Sequence, residues 1–389
     1  MKAWRIISCR CLAASFWLMA LVPLPTRTSR TPWLVAVAIR CIWVAFLLFV
    51  VHGGWKYAKS IPDGSGIVSA YVGIGVFLGH SIVALILIGE SILKGASFAD
   101  YERRRRKLQL QRLCAPQIRR KLLILIFVEF ALDIAKTWAN ANSNVNPVHA
   151  YSMPHTWLLR FRFIQLLQHV MELNQRCKQL KHSLIVLAAR IAPISMLWQP
   201  SSTQECDQLL QLRLNYQSIF ECFGAFNNCY GWGMLALLLV CSLDIISNAY
   251  WTILSDYTME SIHYYVYNGC TSFATGLLIV ALFWSGDRSS ENSRQIGCLI
   301  SKLAKPLGSK RYNDLVSEFS LQALHQRFVV TAKDFFNLNL HLLSSMFAAV
   351  VTYLVILLQF MVADKNSTGR NQIKIESIPT NSTKLIEPQ

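Results

Sequence analysis

Acids are scarce in this sequence, and so are the motifs that acids and cysteines usually build. Lys and Arg number 38 against 21 Asp and Glu, a formal net charge of +17. There is no phosphate-cradling glycine loop, no His-Glu-x-x-His and no Gly-x-Ser-x-Gly, so no enzyme is expected. The eleven cysteines are an odd number without a zinc-like pair of spacings, and Cys9-Arg-Cys11 stands alone. Most lie in apolar stretches or basic loops, where reduced thiols rather than a disulfide framework are expected. Isolated histidines such as His80, His263 and His341 read as packing residues; neither metal nor cofactor is expected. The excess of cations would suit nucleic acid, but these cations sit in clusters between long apolar blocks, and that arrangement argues against it.

What the chain does have is hydrophobic residues, 53% of the total, with a mean hydropathy of +0.35. They come in long runs, which makes an all-α, polytopic membrane protein with seven transmembrane helices the expected fold. The first span is Trp33–Val51 with Arg40 inside it. The second, Ile67–Gly89, carries the small-xxx-small pair Gly75/Gly79 for close helix packing. The third, Leu122–Trp138, holds Glu129, Asp133 and Lys136, and the fourth, Thr156–Met171, holds Arg160 and Arg162; these opposite charges are expected to pair across the bundle. The fifth is Tyr230–Trp251 with Asp244, and the sixth Tyr264–Trp284. Expected segments are 1–32 as a cytoplasmic N-terminus, 33–285 as six spans with a long cytoplasmic helical loop at 173–228, 286–336 as a second cytoplasmic helical loop, 337–362 as the seventh span, and 363–389 as an extracellular tail. The apolar run Cys11–Leu24 ends in Pro23-Leu-Pro25 without a good cleavage site, so it reads as a retained amphipathic lead-in rather than a signal peptide.

Orientation follows from the cations. Residues 90–121 carry ten of them against three acids, which marks that side as cytoplasmic. Seven spans then put the C-terminus outside. The Asn-x-Ser/Thr sequons agree, since both, at Asn366 and Asn381, fall in the tail; Asn381 is the better placed for glycosylation. Rhodopsin-like receptors run the opposite way and carry Asp-Arg-Tyr and Asn-Pro-x-x-Tyr, both missing here.

The last run, Asn337–Val362, is free of formal charge and long enough to cross a bilayer. His341, Ser345, Thr352 and Gln359 recur at steps of four, seven and seven, so they lie on one helix stripe about 27 Å long. Such a stripe faces protein or water, not lipid. It is either glue between helices or the lining of a solute pathway.

Thr352-Tyr353, five apolar residues and Gln359-Phe360 resemble the signature that closes the last helix of insect gustatory receptors. The lead-in from Phe319 to His325, followed by Phe335-Phe336, is similar as well; the match covers roughly the last seventy residues. The resemblance implies a taste receptor in the plasma membrane, on the dendrite of a gustatory neuron. It implies a subunit of a homo- or hetero-tetrameric, ligand-gated, nonselective cation channel whose last helices line a central pore. Carried over, Gln359 and Phe360 fall near the extracellular constriction, with Thr352 and Tyr353 deeper and Ser345 on the same stripe. Ile356 or Phe360 would supply an apolar gate, and Tyr353 would pack between neighbouring helices. Ligands in that family bind among the upper halves of the second to sixth spans. Trp138, Trp157, Tyr250, Trp251, Tyr264 and Tyr265 are the aromatics this sequence places there, with Asp133 as a partner for a cationic or hydrogen-bonding ligand. An interfacial aromatic belt, and pairing of Glu129 and Asp133 with Lys136, Arg160 or Arg162, are the competing readings. Sugar-sensing members carry an acid directly after Thr-Tyr. Leu354 stands there in this sequence, which favours a bitter or other non-sugar tastant. The alternatives are a metabotropic seven-helix receptor, or a sugar or pheromone sensor of the same family.

Overall fold

Apolar runs interrupted by few helix breakers give helices much longer than a bilayer is thick. The computed structural model describes residues 14–22, 30–59, 67–108, 116–142, 148–196, 203–258, 262–306 and 309–376. After a short helical segment at 14–18, the helices among the described residues are α1 (Arg30–Lys59), α2 (Ile67–Leu93), α3 (Gly95–Lys107), α4 (Pro116–Asn142), α5 (Val148–Met196), α6 (Thr203–Thr258), α7 (Ile262–Ser301), α8 (Lys310–His325) and α9 (Leu340–Glu376). A two-stranded antiparallel sheet, β1 (Thr331–Ala332) and β2 (Phe336–Asn337), separates α8 from α9. Pro116 opens α4, where its missing N–H costs nothing. The four basic residues Arg104–Lys107 close α3 at the negative end of its dipole.

Among the described residues, five helices carry windows long and apolar enough to cross a membrane: Trp33–Lys56, Tyr71–Leu93, Thr203–Ile253, Ile262–Ser301 and Leu340–Phe360. α4 and α5 are long enough but too charged, because Glu129, Asp133, Lys136, Arg160 and Arg162 interrupt their apolar faces. α5, α6 and α7 extend without a break from the expected spans into the stretches expected as cytoplasmic helical loops. The far parts of all three, with α8, make a second helical bundle continuous with the first.

α8 joins this second bundle through the buried stripe Tyr312, Val316, Phe319 and Ala323. Phe319 stands edge-on to Tyr216 of α6 at 5.5 Å, and Phe328 stacks on Phe223 at 5.5 Å. The chain then turns through the hairpin. Asn227 brackets it from α6, its amide donating to the Val329 carbonyl at 2.9 Å while its oxygen accepts from the Thr331 N–H at 3.1 Å. Two glycines let the hairpin approach. A Cβ at Gly231 of α6 would lie 2.8 Å from the Lys333 nitrogen, and one at Gly286 of α7 only 2.5 Å from the Leu338 oxygen.

The last apolar run therefore begins as hairpin, not helix. Phe336 and Asn337 belong to β2, and the Leu338 N–H donates to the Val330 carbonyl at 2.9 Å. Asn339 then accepts from the Leu342 N–H at 2.8 Å as the N-cap of α9. At its other end α9 continues past Val362 to Glu376.

Candidate functional site

α9 is the least covered of the apolar helices. Only 6% of its apolar window is buried, against 61% in the window of α6. Leu343, Met346, Val350, Leu354 and Leu357 turn toward the body of the molecule, where α9 packs on α6 and α7. At about 100° per residue, His341, Ser345, Thr352 and Gln359 lie roughly opposite that inner face. All four are exposed, so the polar stripe points directly away from its own chain. The hydroxyls bond within their helix, Ser345 donating to the His341 carbonyl at 3.2 Å and Thr352 to the Ala348 carbonyl at 3.0 Å. Gln359 shows no hydrogen bond among the described residues. Its amide needs water or another chain, because lipid offers no partner. Tyr353 and Phe360, 59% and 61% exposed, share one flank beside the stripe; Ile356, also exposed, stands closer to it.

A second set of polar groups is sealed inside the bundle. Arg160 of α5 pairs with Asp133 and stands 3.5 Å from Glu129, both on α4. Lys136 lies over the Tyr267 ring at 5.1 Å. His80 of α2 meets Asp244 of α6 at 3.0 Å, with the His155 ring 5.5 Å away. Arg162 has a different partner from those expected. Fully buried, it donates to Glu90 of α2 at 2.9 Å and lies 4.6 Å over the Tyr230 ring. Glu90 also accepts from Lys94 and from the Gly233 N–H, each at 2.9 Å. On a helix, Arg160 and Arg162 point about 200° apart, so they cannot serve the same acids.

Asp133 is thus committed to Arg160 in this structure, and the aromatics expected around a ligand do not form one cluster. Trp138, 55% exposed, stands edge-on to His263 at 5.0 Å, whereas Trp157 packs edge-on to Phe130 and tilted against Phe161. Tyr250 is buried against Trp251, whose ring approaches Gly73; Tyr264 and Tyr265 are half-buried near the start of α7. Asn381 lies outside the described residues, as does the side chain of Asn366.

At the foot of the bundle, α3 holds its arginines in place. Arg105 donates to Glu172 at 2.8 and 3.0 Å and to Glu102 at 2.8 Å. Burial pulls its guanidinium down, but Glu172 and Glu102 outweigh burial and hold it above the ordinary arginine value. Glu172 itself is raised, by burial first, with Arg105 opposing.

The family profile of the 7tm chemosensory receptors matches residues 9–363. The chain belongs to that family. The likeness read from the last seventy residues therefore holds over nearly the whole receptor, which is a helical, polytopic membrane protein. Gustatory receptor 23a of Drosophila melanogaster is 45% identical over 57% of this chain and 60% of its own length. Gustatory and pheromone receptor 39a, isoform A, of the same fly is 24% identical over 43% of this chain and 45% of its own. The matches thus span about half the length of these relatives. In fold, the receptor is similar to the olfactory receptor OR5 of Machilis hrabei solved with eugenol, with a TM-score of 0.58 and 14% identity over 91% of this chain and 99% of that one. OR5 solved without the ligand gives 0.57.

Sequence reasoning singled out the α4/α5 charges but missed the Glu90–Arg162 pair and the hairpin glycines. Glu90 carried a faint signal, an acid closing an otherwise apolar span. Gly231 and Gly286 carried none, since what crowds them, Lys333 and Leu338, arrives from far downstream in the chain.

Proposed function

We propose that this receptor is a gustatory chemoreceptor, a subunit of a tetrameric, ligand-gated, nonselective cation channel that detects bitter or other non-sugar compounds. In this reading α1, α2, α4, α5, α6, α7 and α9 are seven spans, with the N-terminus inside and the C-terminus outside. Four copies of α9 turn Ser345, Thr352 and Gln359 to a common axis. Tyr353 packs toward the neighbouring copy, and Ile356 or Phe360 supplies the apolar ring that excludes water when closed. The ligand enters among α2 to α7 near Trp138, Trp157, Tyr250, Trp251, Tyr264 and Tyr265, where a hydrogen-bonding ligand competes with Arg160 for Asp133. The receptor works in the plasma membrane of a gustatory neuron's dendrite, glycosylated at Asn381.

One observation carries the proposal: the polar stripe His341, Ser345, Thr352 and Gln359 is exposed and points away from the chain's own body, beside exposed apolar side chains such as Tyr353, Ile356 and Phe360. A helix meant to face lipid would do the opposite. The test is current recording from cells expressing the chain alone and with related subunits, against a panel of bitter compounds and sugars, with G-protein signalling blocked. Ligand-evoked cation currents that survive the block are expected. Loss of all current under the block would transfer the reading to a metabotropic receptor.

A further inference from the structure

The stripe on α9 and the sealed pairs of the bundle leave one charged feature unused, where the apolar parts of α4 and α7 stop. Trp284 ends the apolar stretch of α7 and is 52% exposed, the position an interfacial indole takes. Arg288, one turn further, holds its guanidinium 5.8 Å over that ring. Two bonds fix how α5 lies along α7 here. Asn174 donates from Nδ2 to the Ser285 carbonyl at 2.8 Å, and Lys181 donates from Nζ to Gln295 Oε1 at 2.6 Å. This register brings Lys178 of α5, midway between the two bonds, level with Arg288, and both are exposed. Lys121 is exposed at the foot of the apolar run of α4, which packs on the same helix α7.

The cations are close enough to act on one another. Lys178 is held below the ordinary lysine range, by burial first and then by Arg288, Lys121 and Lys181. The acids of this stretch are Asp287 and Glu291. Glu291 is already taken by Arg294 at 2.8 Å and by Gln295 at 2.6 Å. Like charges brought together from three helices repel, and an anion between them removes the cost. Toward the bilayer, Ile124 of α4, one turn from Lys121, and Val280 of α7, about two turns from Arg288, are exposed and apolar, as acyl chains require.

We propose that Lys121, Lys178 and Arg288 form a binding site for the phosphate-bearing headgroup of an anionic phospholipid in the cytoplasmic leaflet. The site rests on the orientation proposed above, and it ties α4, α5 and α7 together where the two helical bundles meet.

The test uses the purified full-length receptor in uncharged detergent, titrated with dioctanoyl phosphatidylinositol bisphosphate and read by binding fluorescence and by melting temperature. Saturable binding is expected. K178Q/R288Q should weaken it roughly thirtyfold, about fivefold for each cation lost, while R103Q/R106Q on the exposed side of α3 leaves it unchanged. Should the double variant melt abnormally, R288Q alone is read, with a roughly fivefold loss expected. The free inositol phosphate headgroup should bind at least roughly tenfold more weakly, for lack of chains to bury. No saturable binding, equal binding by the K178Q/R288Q variant, or an equal loss in the α3 control would each overturn the site. Equal affinity for the chain-free headgroup would overturn the lipid as its ligand. No current is read, so failure of the channel reading would leave these outcomes standing.

Discussion

Arg162 shows how much a single residue carries in this molecule. It is fully buried, and its charge is answered by Glu90 at 2.9 Å and by the face of Tyr230. Removing the guanidinium leaves buried Glu90 with only Lys94 and the Gly233 N–H to answer its charge, and the loss of a buried pair costs up to about 3–5 kcal/mol. R162A should therefore lower the melting temperature of the purified receptor sharply and reduce surface expression. R162K should recover only part of the loss, because an ammonium cannot reproduce the planar fork. An unchanged melting temperature in R162A would mean that the pair does not hold the bundle. Gln359 is predicted to behave in the opposite way. Exposed and without a partner among the described residues, it can be replaced by Ala or Arg with surface expression intact, while conductance or ion preference changes. Wild-type permeation in both variants would make the stripe a packing surface.

Among the elements, the hairpin between α8 and α9 sets the root of α9. It rests on Gly231 and Gly286 at distances that leave no room for a Cβ. G286V should displace the Leu338 segment and abolish ligand-evoked current while the protein still reaches the surface. Normal currents in that variant would show that the seat of the hairpin does not control α9. N339A should be milder, removing the N-cap at about 1 kcal/mol and fraying the first turn of α9. This region also marks the limit of what the sequence made legible. The stripe of His341, Ser345, Thr352 and Gln359 could be read from spacing alone, because a helix imposes its own period. The two-residue sheet at 331–337 could not, since short strands have no period to detect and the glycines that accept the hairpin lie far away in sequence. For a similar reason, the α4/α5 charges announced a pairing but not its register. Only the packing of the helices assigns Arg160 to Asp133 and Arg162 to Glu90.

Over the whole molecule, two bundles share α5, α6 and α7, and the same long helices build both. Under the proposed function, that continuity is the path by which a ligand in the upper bundle would shift the hairpin and so α9. Orientation is testable directly. If the C-terminus is outside, Asn381 is glycosylated in expressing cells, and glycosidase treatment lowers the apparent mass of the wild type but not of N381Q. A wild type insensitive to glycosidase would remove the support that the sequons give to seven spans. The central claim concerns α9 itself, and thiol accessibility tests it most directly. Single cysteines at Thr352, Gln359, Val350 and Leu354 are exposed to a charged, membrane-impermeant methanethiosulfonate on intact cells, and the modified fraction is measured above that of the parent chain. Rapid modification is expected at position 359, and at position 352 while an activating ligand holds the apolar ring open, with protection at 350 and 354. Protection at 352 and 359 with reaction at 350 and 354 would contradict the claim.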